Sequence, residues 1–172
     1  PELDTPDNHR RLGELRATEL ERAMGALGVT EWENLGYRDS DMMGRPGNLD
    51  PRSFWQADLD EAARRLAWLI RQYRPDVVTT YNEFGGYGHP DHIQSHRVST
   101  YGASLAAIPS YRRDLGEAWD VPKIYWSAMS ASAMREGLRT LRDAGDTTTF
   151  EGMDPDNLPP FAVEDEDLDA MI

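Results

Sequence analysis

In the first half of the chain, apolar positions recur at helical spacing in two segments. Within residues 8–27 and 54–73 the apolar side chains lie mostly three or four positions apart, with Gly28 after the first segment and Pro75 after the second. This spacing places apolar side chains on one helix face, and a glycine or proline after the last turn ends a helix. We predict one helix from each segment.

Short β-rich runs follow both helices, at residues 32–35 and 76–81, and a further run covers residues 123–127. Two more helices are predicted, one from about Pro90 to before Pro109 and one over residues 131–144. Alternation of helices and strands implies a mostly parallel sheet with right-handed crossovers. The predicted fold class is therefore α/β, a Rossmann-like and mostly parallel sheet flanked by helices.

The stretch GGYGHPDHIQSH, from Gly85 to His96, joins a predicted strand to a predicted helix and carries three of the four histidines of the chain. Its glycines permit a sharp turn, and Pro90 suits the first turn of a helix. An open α/β sheet binds its ligands at such a place, outside the carboxyl ends of its strands. We therefore expect the chemistry of the protein in this stretch.

These histidines also suggest a metal site. If the helix begins near Pro90, His92 lies in its first turn and His96 lies one turn further along the same face. Imidazole and carboxylate groups bind Zn2+, and the chain has no cysteine to supply a thiolate. Alternatively, His89 and His96 are hydrogen-bonded loop and helix residues, and the spacing leaves both interpretations open. His96 is more typical of a packing residue than of a ligand.

The run GGYGHPDH at residues 85–92, preceded by TTY at 79–81, resembles the second signature of the LmbE-like (PIG-L) zinc N-deacetylases. Within that family it is most similar to two enzymes of mycothiol metabolism, the N-acetylglucosaminyl-inositol deacetylase and the S-conjugate amidase. The resemblance extends to about residue 145 and includes three further segments, LGYRDS at 35–40, RPDVV at 74–78 and VPKIYW at 121–126.

The resemblance implies a set of site residues. His92 would be a ligand of Zn2+, although Fe2+ or Co2+ could use the same ligands. His89 would carry a proton to stabilise the tetrahedral oxyanion or to protonate the departing amine, and Asp91 would orient His89. Tyr87 would donate its hydroxyl to the carbonyl oxygen. Asp39 would bind the sugar substrate, with an ordinary turn residue as the alternative.

One departure from the family pattern concerns its first signature, Ala-His-Pro-Asp-Asp-Glu. In the family this signature supplies a histidine and an aspartate to the metal and a second aspartate as general base, and it does not occur here. We interpret the chain as an internal segment of a longer protein, with an LmbE-like domain incomplete at both ends and a catalytically incomplete site. Asn82 and Phe84 stand where the mycothiol enzymes usually have aspartate and asparagine, so the specificity could differ.

Composition and net charge restrict the number of domains and the classes of partner that we expect for the chain. The 172 residues, 39% of them apolar, suggest one partial domain over residues 1–172, with an acidic, loop-rich stretch at residues 146–172. The net charge of −13 argues against nucleic acid, whose phosphates need a basic surface. No apolar stretch approaches the roughly 20 residues that cross a membrane, and no secretory signal opens the chain, so we expect a cytoplasmic protein. Whether the chain assembles into a homo-oligomer is left open.

The predicted function is metal-dependent removal of an N-acetyl group from a glucosamine-type sugar such as an inositol glycoside. The first alternative is a mycothiol S-conjugate amidase, although Tyr87-Gly88-His89 favours the deacetylase because the amidases have proline in the middle. The second is a non-catalytic carbohydrate-binding module that has kept the fold and lost the first metal signature. The expected partner is a small amino-sugar substrate.

Overall fold

The computed structural model describes residues 6–171, with side chains for residues 11–150 and 152–171. The chain divides into two compact units, residues 1–38 and 39–172. In the first unit, helix α1 covers Pro6–Leu27, close to the predicted bounds. Ion pairs at helical spacing lie along its exposed surface, for example between Arg16 and Glu19 at 2.7 Å.

The strand predicted at residues 32–35 is wrong. The side-chain oxygen of Asn34 accepts a hydrogen bond from the Gly36 amide at 2.8 Å, and Gly36 has a φ of 78°. An asparagine that binds a nearby backbone amide stabilises a turn and competes with strand pairing. Tryptophan favours strands because its side chain packs well on a half-buried sheet. Trp32 is 40% exposed, so such packing does not stabilise a strand here.

The second unit contains the parallel strands and the remaining helices. In chain order these elements are α2 (Leu59–Tyr73), β1 (Val77–Tyr81), the single turn α3 (Gly85–Gly88), α4 (Pro90–Ala107), β2 (Lys123–Ser127), β3 (Met129–Ser130), α5 (Ala131–Asp143) and β4 (Ala162–Val163). Short 3-10 turns cover Pro46–Leu49, Phe54–Gln56, Arg113–Leu115, Thr149–Gly152 and Asp165–Asp167. Within residues 6–171, none of the helices combines the length and the apolar character that a bilayer crossing requires.

Helix α2 begins later than its apolar pattern predicts. The Asp58 carboxylate accepts a hydrogen bond from the Glu61 amide at 2.8 Å, which caps the helix, and residues 54–56 form a separate 3-10 turn. Aspartate is a favoured N-cap because its oxygen satisfies a backbone donor of the first turn. The predicted helices that became α4 and α5 are confirmed to within about a residue at each end.

The strands pair in parallel, as predicted. Strand β1 runs beside β2 from the pair Val77 and Lys123 to the pair Tyr81 and Ser127. Strand β3 pairs with β4, which lies in the C-terminal stretch that we predicted as acidic and loop-rich. The fold class, α/β with short parallel sheets flanked by helices, is confirmed; the description of the chain as one partial domain stays a prediction.

The core lies between α2 and α4, and small residues line the contact. A Cβ atom at Gly102 would lie 3.1 Å from the carbonyl oxygen of Ala63, so the two helices approach closely at this point. Dense packing of this kind resists rearrangement. It therefore holds α4, whose first turn carries the candidate site, in a fixed position. The buried apolar residues of the two helices are Ala62, Ala63, Ala67, Ile70, Val98, Ala103, Leu105 and Ala106.

A buried arginine joins α2 to the end of α4. Arg71 is only 4% exposed, and its guanidinium donates to backbone carbonyl oxygens in and after the last turn of α4. Cations are stabilised near a helix C-terminus, where unpaired carbonyl groups carry partial negative charge. The acceptors are the carbonyl oxygens of Leu105, Ala106, Ile108, Tyr111, Arg112 and Gly116, at 2.8–3.3 Å.

The acidic C-terminal stretch contacts α5 through hydrogen bonds and ion pairs. The Asp165 carboxylate accepts a hydrogen bond from the Ser130 hydroxyl at 2.6 Å, and this bond lowers the pKa of Asp165. Arg139 of α5 pairs with Asp156 at 2.9 Å. Most of the described residues of this stretch lie outside helices and strands, and the short strand β4 was not anticipated because two residues carry too little pattern to recognise.

Candidate functional site

The site begins where β1 ends at Tyr81. Asn82 shapes the next turn, because its backbone carbonyl accepts from the Gly85 amide and its side-chain oxygen accepts from the Gly86 amide, both at 2.9 Å. Gly85 has a φ of 69°, and a Cβ atom there would lie 2.7 Å from the Ile93 nitrogen. This backbone angle and this close approach both require glycine. The chain thus runs from strand to glycine turn to helix, as the sequence predicts.

His89 is the N-cap of helix α4. Its Nδ1 atom accepts a hydrogen bond from the Asp91 backbone amide at 3.2 Å, and Pro90 occupies the first helical position. A ring nitrogen can accept a hydrogen bond only while it carries no proton. This arrangement therefore corresponds to the neutral ring with its proton on Nε2, which is left as a donor.

His92 lies in the first turn of α4, and two contacts hold its ring in place. Its Nδ1 atom lies 3.1 Å from the carbonyl oxygen of Gly85, which can only accept, so Nδ1 carries the proton. Its ring stacks on Tyr81 with centroids 4.0 Å apart and planes 7° apart. Burial lowers the pKa of His92 below its ordinary value of 6.5. A neutral imidazole with a free Nε2 atom is the form that binds metals.

The lowered pKa gives a testable expectation for the metal-free protein. The imidazole of His92 should titrate below 6.5 in an NMR pH titration, with the signal assigned by comparison with His92→Gln. Because the unfolded chain then binds the proton more readily than the folded one, this histidine should destabilise the fold as the pH falls below 6.5. A midpoint at or above the ordinary value would contradict the desolvation of the ring.

Three acidic and imidazole groups lie together beside His92. Ligand atoms of Asp39, His89 and Asp91 are all within 4.8 Å of one another, a spacing that could hold a metal ion. The ring of His89 lies 4.9 Å from that of His92, and the ring of Tyr87 lies 5.1 Å from that of His92. The structure therefore brings all five predicted site residues together. It also offers two ways to hold a metal, through His92 or through this cluster of three.

Ser40 and Tyr81 also adjoin the site. Both lie in segments that resemble the family, but no role was predicted for either. Ser40 donates to the Asp91 carboxylate from both its hydroxyl and its backbone amide. Asp91 was expected to orient His89; its backbone amide makes the contact with His89, and its carboxylate binds Ser40. Tyr81 stacks on His92. In the sequence, only its position next to Asp39 pointed to a role for Ser40 at the site. Tyr81 gave no such signal beyond its place at the end of a predicted strand.

His96 lies outside the candidate site. Its Nδ1 atom is 2.9 Å from the carbonyl oxygen of Tyr81, and its ring meets Trp126 edge to face at 4.9 Å. These contacts join α4 to the ends of β1 and β2. These contacts are typical of a packing residue, and the interpretation of His96 stays a prediction.

The site lies within a region that matches a known protein family. A family model described as PIG-L, GlcNAc-PI de-N-acetylase, matches residues 1–101. The chain belongs to the PIG-L family. The matched region includes the glycine turn and the first turn of α4, so the resemblance drawn from residues 85–92 is confirmed.

Several curated relatives in this family carry the name 1D-myo-inositol 2-acetamido-2-deoxy-alpha-D-glucopyranoside deacetylase. The protein of Nocardioides sp. (strain ATCC BAA-499 / JS614) is 56% identical over 100% of this chain and 62% of its own length. Those of Kribbella flavida and Geodermatophilus obscurus are 53% and 48% identical, over 96% and 100% of this chain and 59% and 60% of their own lengths. The chain thus spans about three fifths of these relatives.

Among solved structures, that of a conserved protein from Thermus thermophilus is similar to this chain. The two have a TM-score of 0.47 and 26% sequence identity, over 64% of this chain and 43% of that one.

Proposed function

We propose that this PIG-L protein is a metal-dependent deacetylase that removes the N-acetyl group from a glucosamine-type sugar joined to an inositol. The names of relatives that are about half identical to this chain support the substrate class. The observation that carries the proposal is the convergence of Tyr87, His89, Asp91 and His92 at the carboxyl end of β1. These groups suit an amide hydrolase that needs a metal and proton donors.

We propose Zn2+ as the metal, with Fe2+ as the alternative, and His92 as its ligand from this part of the protein. The unprotonated Nε2 atom and the neutral ring of His92 support this assignment. When bound, such a metal lowers the pKa of a water molecule and polarises the amide carbonyl. The second arrangement, through Asp39, His89 and Asp91, supplies nitrogen and oxygen atoms that also suit Zn2+, but it would require the Nε2 atom of His89 to lose its proton, because Nδ1 accepts from the Asp91 amide.

His89 would stabilise the negative charge that develops on the amide oxygen. The resemblance allows either this role or protonation of the departing amine. The hydrogen bond from the Asp91 amide to Nδ1 favours the first role, because it leaves one proton, on Nε2, as a donor to an oxyanion. Protonation of the amine would need a second ring proton and the loss of this bond.

Tyr87 and Asp39 would complete the contacts to the substrate. The ring of Tyr87 lies 6.2 Å from that of His89 and is 42% exposed, so its hydroxyl is accessible to a substrate carbonyl. Asp39 is exposed beside His89, and it accepts a hydrogen bond from the Asp41 amide at 2.8 Å. Its remaining acceptor positions suit sugar hydroxyl groups.

Acetate release tests the proposal, with the protein expressed from its full reading frame and supplied with Zn2+. We expect hydrolysis of N-acetylglucosaminyl-inositol and much slower hydrolysis of a mycothiol S-conjugate. The reverse preference would support the amidase. Binding of the sugar without any hydrolysis would support the carbohydrate-binding module. Location in the cell and oligomeric state stay predictions, as does the expectation that the segment alone is catalytically incomplete.

A further inference from the structure

Ser40 binds both oxygens of the Asp91 carboxylate. Its backbone amide donates to Oδ2 at 3.1 Å, and its hydroxyl donates to Oδ1. The side chain of Ser40 is completely buried, although the neighbouring Asp39 is exposed. A buried hydroxyl needs partners, and here the partner is a carboxylate 51 positions further along the chain. Two donors from one residue fix the orientation of that carboxylate.

The direction of the Ser40 hydroxyl is also determined. Its oxygen accepts a hydrogen bond from the Trp55 backbone amide at 2.9 Å. Because that amide can only donate, it occupies a lone pair of the hydroxyl, and the single hydroxyl proton is directed to Asp91. Ser40 therefore joins the 3-10 turn at residues 54–56 to the first turn of α4.

Asn48 in turn holds Ser40. It is 8% exposed, and its side-chain amide donates to the carbonyl oxygen of Ser40. Its side-chain oxygen accepts from the Gly44 amide at 2.7 Å, and its own carbonyl accepts from the Gln56 side chain at 2.7 Å. The loop at residues 40–48 is thus closed on itself by one asparagine. Satisfied buried networks of this kind hold a single conformation.

We propose that Ser40 is a positioning residue of the site, and that Asn48 keeps Ser40 in place. The series of contacts runs from Asn48 to Ser40, from Ser40 to the Asp91 carboxylate, and from the Asp91 amide to His89. Loss of the Ser40 hydroxyl leaves a carboxylate oxygen and the Trp55 amide without this partner. The first turn of α4 then loses an anchor at the Asp91 carboxylate, and the Asp91 backbone amide moves relative to Nδ1 of His89. This role rests on the proposed function, since His89 acts on the substrate there.

The test compares Ser40→Ala with Ser53→Ala. Ser53 is also completely buried, and within the described residues its hydroxyl has no hydrogen-bond partner, so the same chemical change removes no contact to the site. With the full-reading-frame protein loaded with Zn2+, we expect Ser40→Ala to lower kcat about 10–100-fold with little change in KM. Ser53→Ala should keep kcat, and Ser40→Thr, which restores a hydroxyl, should recover most of the loss.

A second measurement does not depend on activity. The backbone amide signal of Asp91 in a 15N-resolved NMR spectrum should shift in Ser40→Ala and stay in place in Ser53→Ala. An unshifted Asp91 signal, or an equal loss of kcat in both variants, would overturn the positioning role. If the wild-type protein released no acetate, the proposed function would fail, while the Asp91 signal would still report on Ser40.

Discussion

Replacement of His92 by alanine is expected to remove the bound metal and to lower amide hydrolysis by more than about 100-fold. Loss of a group that only supports a metal ligand typically costs about 10–100-fold in affinity or activity, so loss of a ligand should cost more. His92 is prepared for this role by its bond to the Gly85 carbonyl, by its stacking on Tyr81 and by its lowered pKa. Metal content and acetate release measure the two effects.

His96→Ala is the matched control for this variant. It removes the same side chain from the same helix, one turn away, where the imidazole contacts Tyr81 and Trp126. We expect it to retain the metal and most of the activity. Equal losses in the two variants would indicate that the imidazole groups act through the stability of α4. A His92→Ala protein with its full metal content would assign the metal to other ligands.

Replacement of Arg71 by methionine is expected to lower the free energy of unfolding by about 3–5 kcal/mol, because it removes the donors of several buried or part-buried carbonyl groups at once. Arg71 is 4% exposed and contacts six carbonyl oxygens in and after the last turn of α4. Methionine keeps much of the apolar volume, so the effect should come mainly from lost hydrogen bonds. Urea unfolding of the protein from its full reading frame measures the change.

Arg64→Met is the control for Arg71→Met. Arg64 lies two turns earlier in α2 and pairs with Glu61 at 3.8 Å near the surface. Partly exposed pairs of this kind contribute less than about 1 kcal/mol. Equal stability of the Arg71→Met and wild-type proteins would contradict the structural role of the guanidinium. A large loss in Arg64→Met would show that the charge of α2, and not the buried contacts, matters.

The main elements of the fold could be predicted from local patterns. Apolar spacing predicted α2 and α4, and proline at position 90 gave the start of α4 to the residue. The failures also have local causes. Asn34 and Gly36 form a turn where β-rich residues suggested a strand, and β4 has only two residues. Capping by Asp58, which delays the start of α2, can be recognised in a sequence but is weaker than the apolar pattern around it.

The candidate site was predictable only where its residues are contiguous. Tyr87, His89, Asp91 and His92 occur within six positions, so one motif contained them all. The contact between Ser40 and Asp91 joins residues 51 positions apart. No single-sequence pattern specifies which buried hydroxyl reaches which carboxylate, because that pairing depends on how the loop at residues 40–48 packs against α4.

Anomalous X-ray diffraction at the zinc absorption edge, on crystals of the Zn2+-loaded protein, tests the central claim most directly. The claim is that the glycine turn after β1 presents His92 to a catalytic metal. We predict a zinc peak at bonding distance, about 2.0–2.1 Å, from Nε2 of His92. A zinc peak bound by Asp39, His89 and Asp91, with His92 away from the metal, would contradict it.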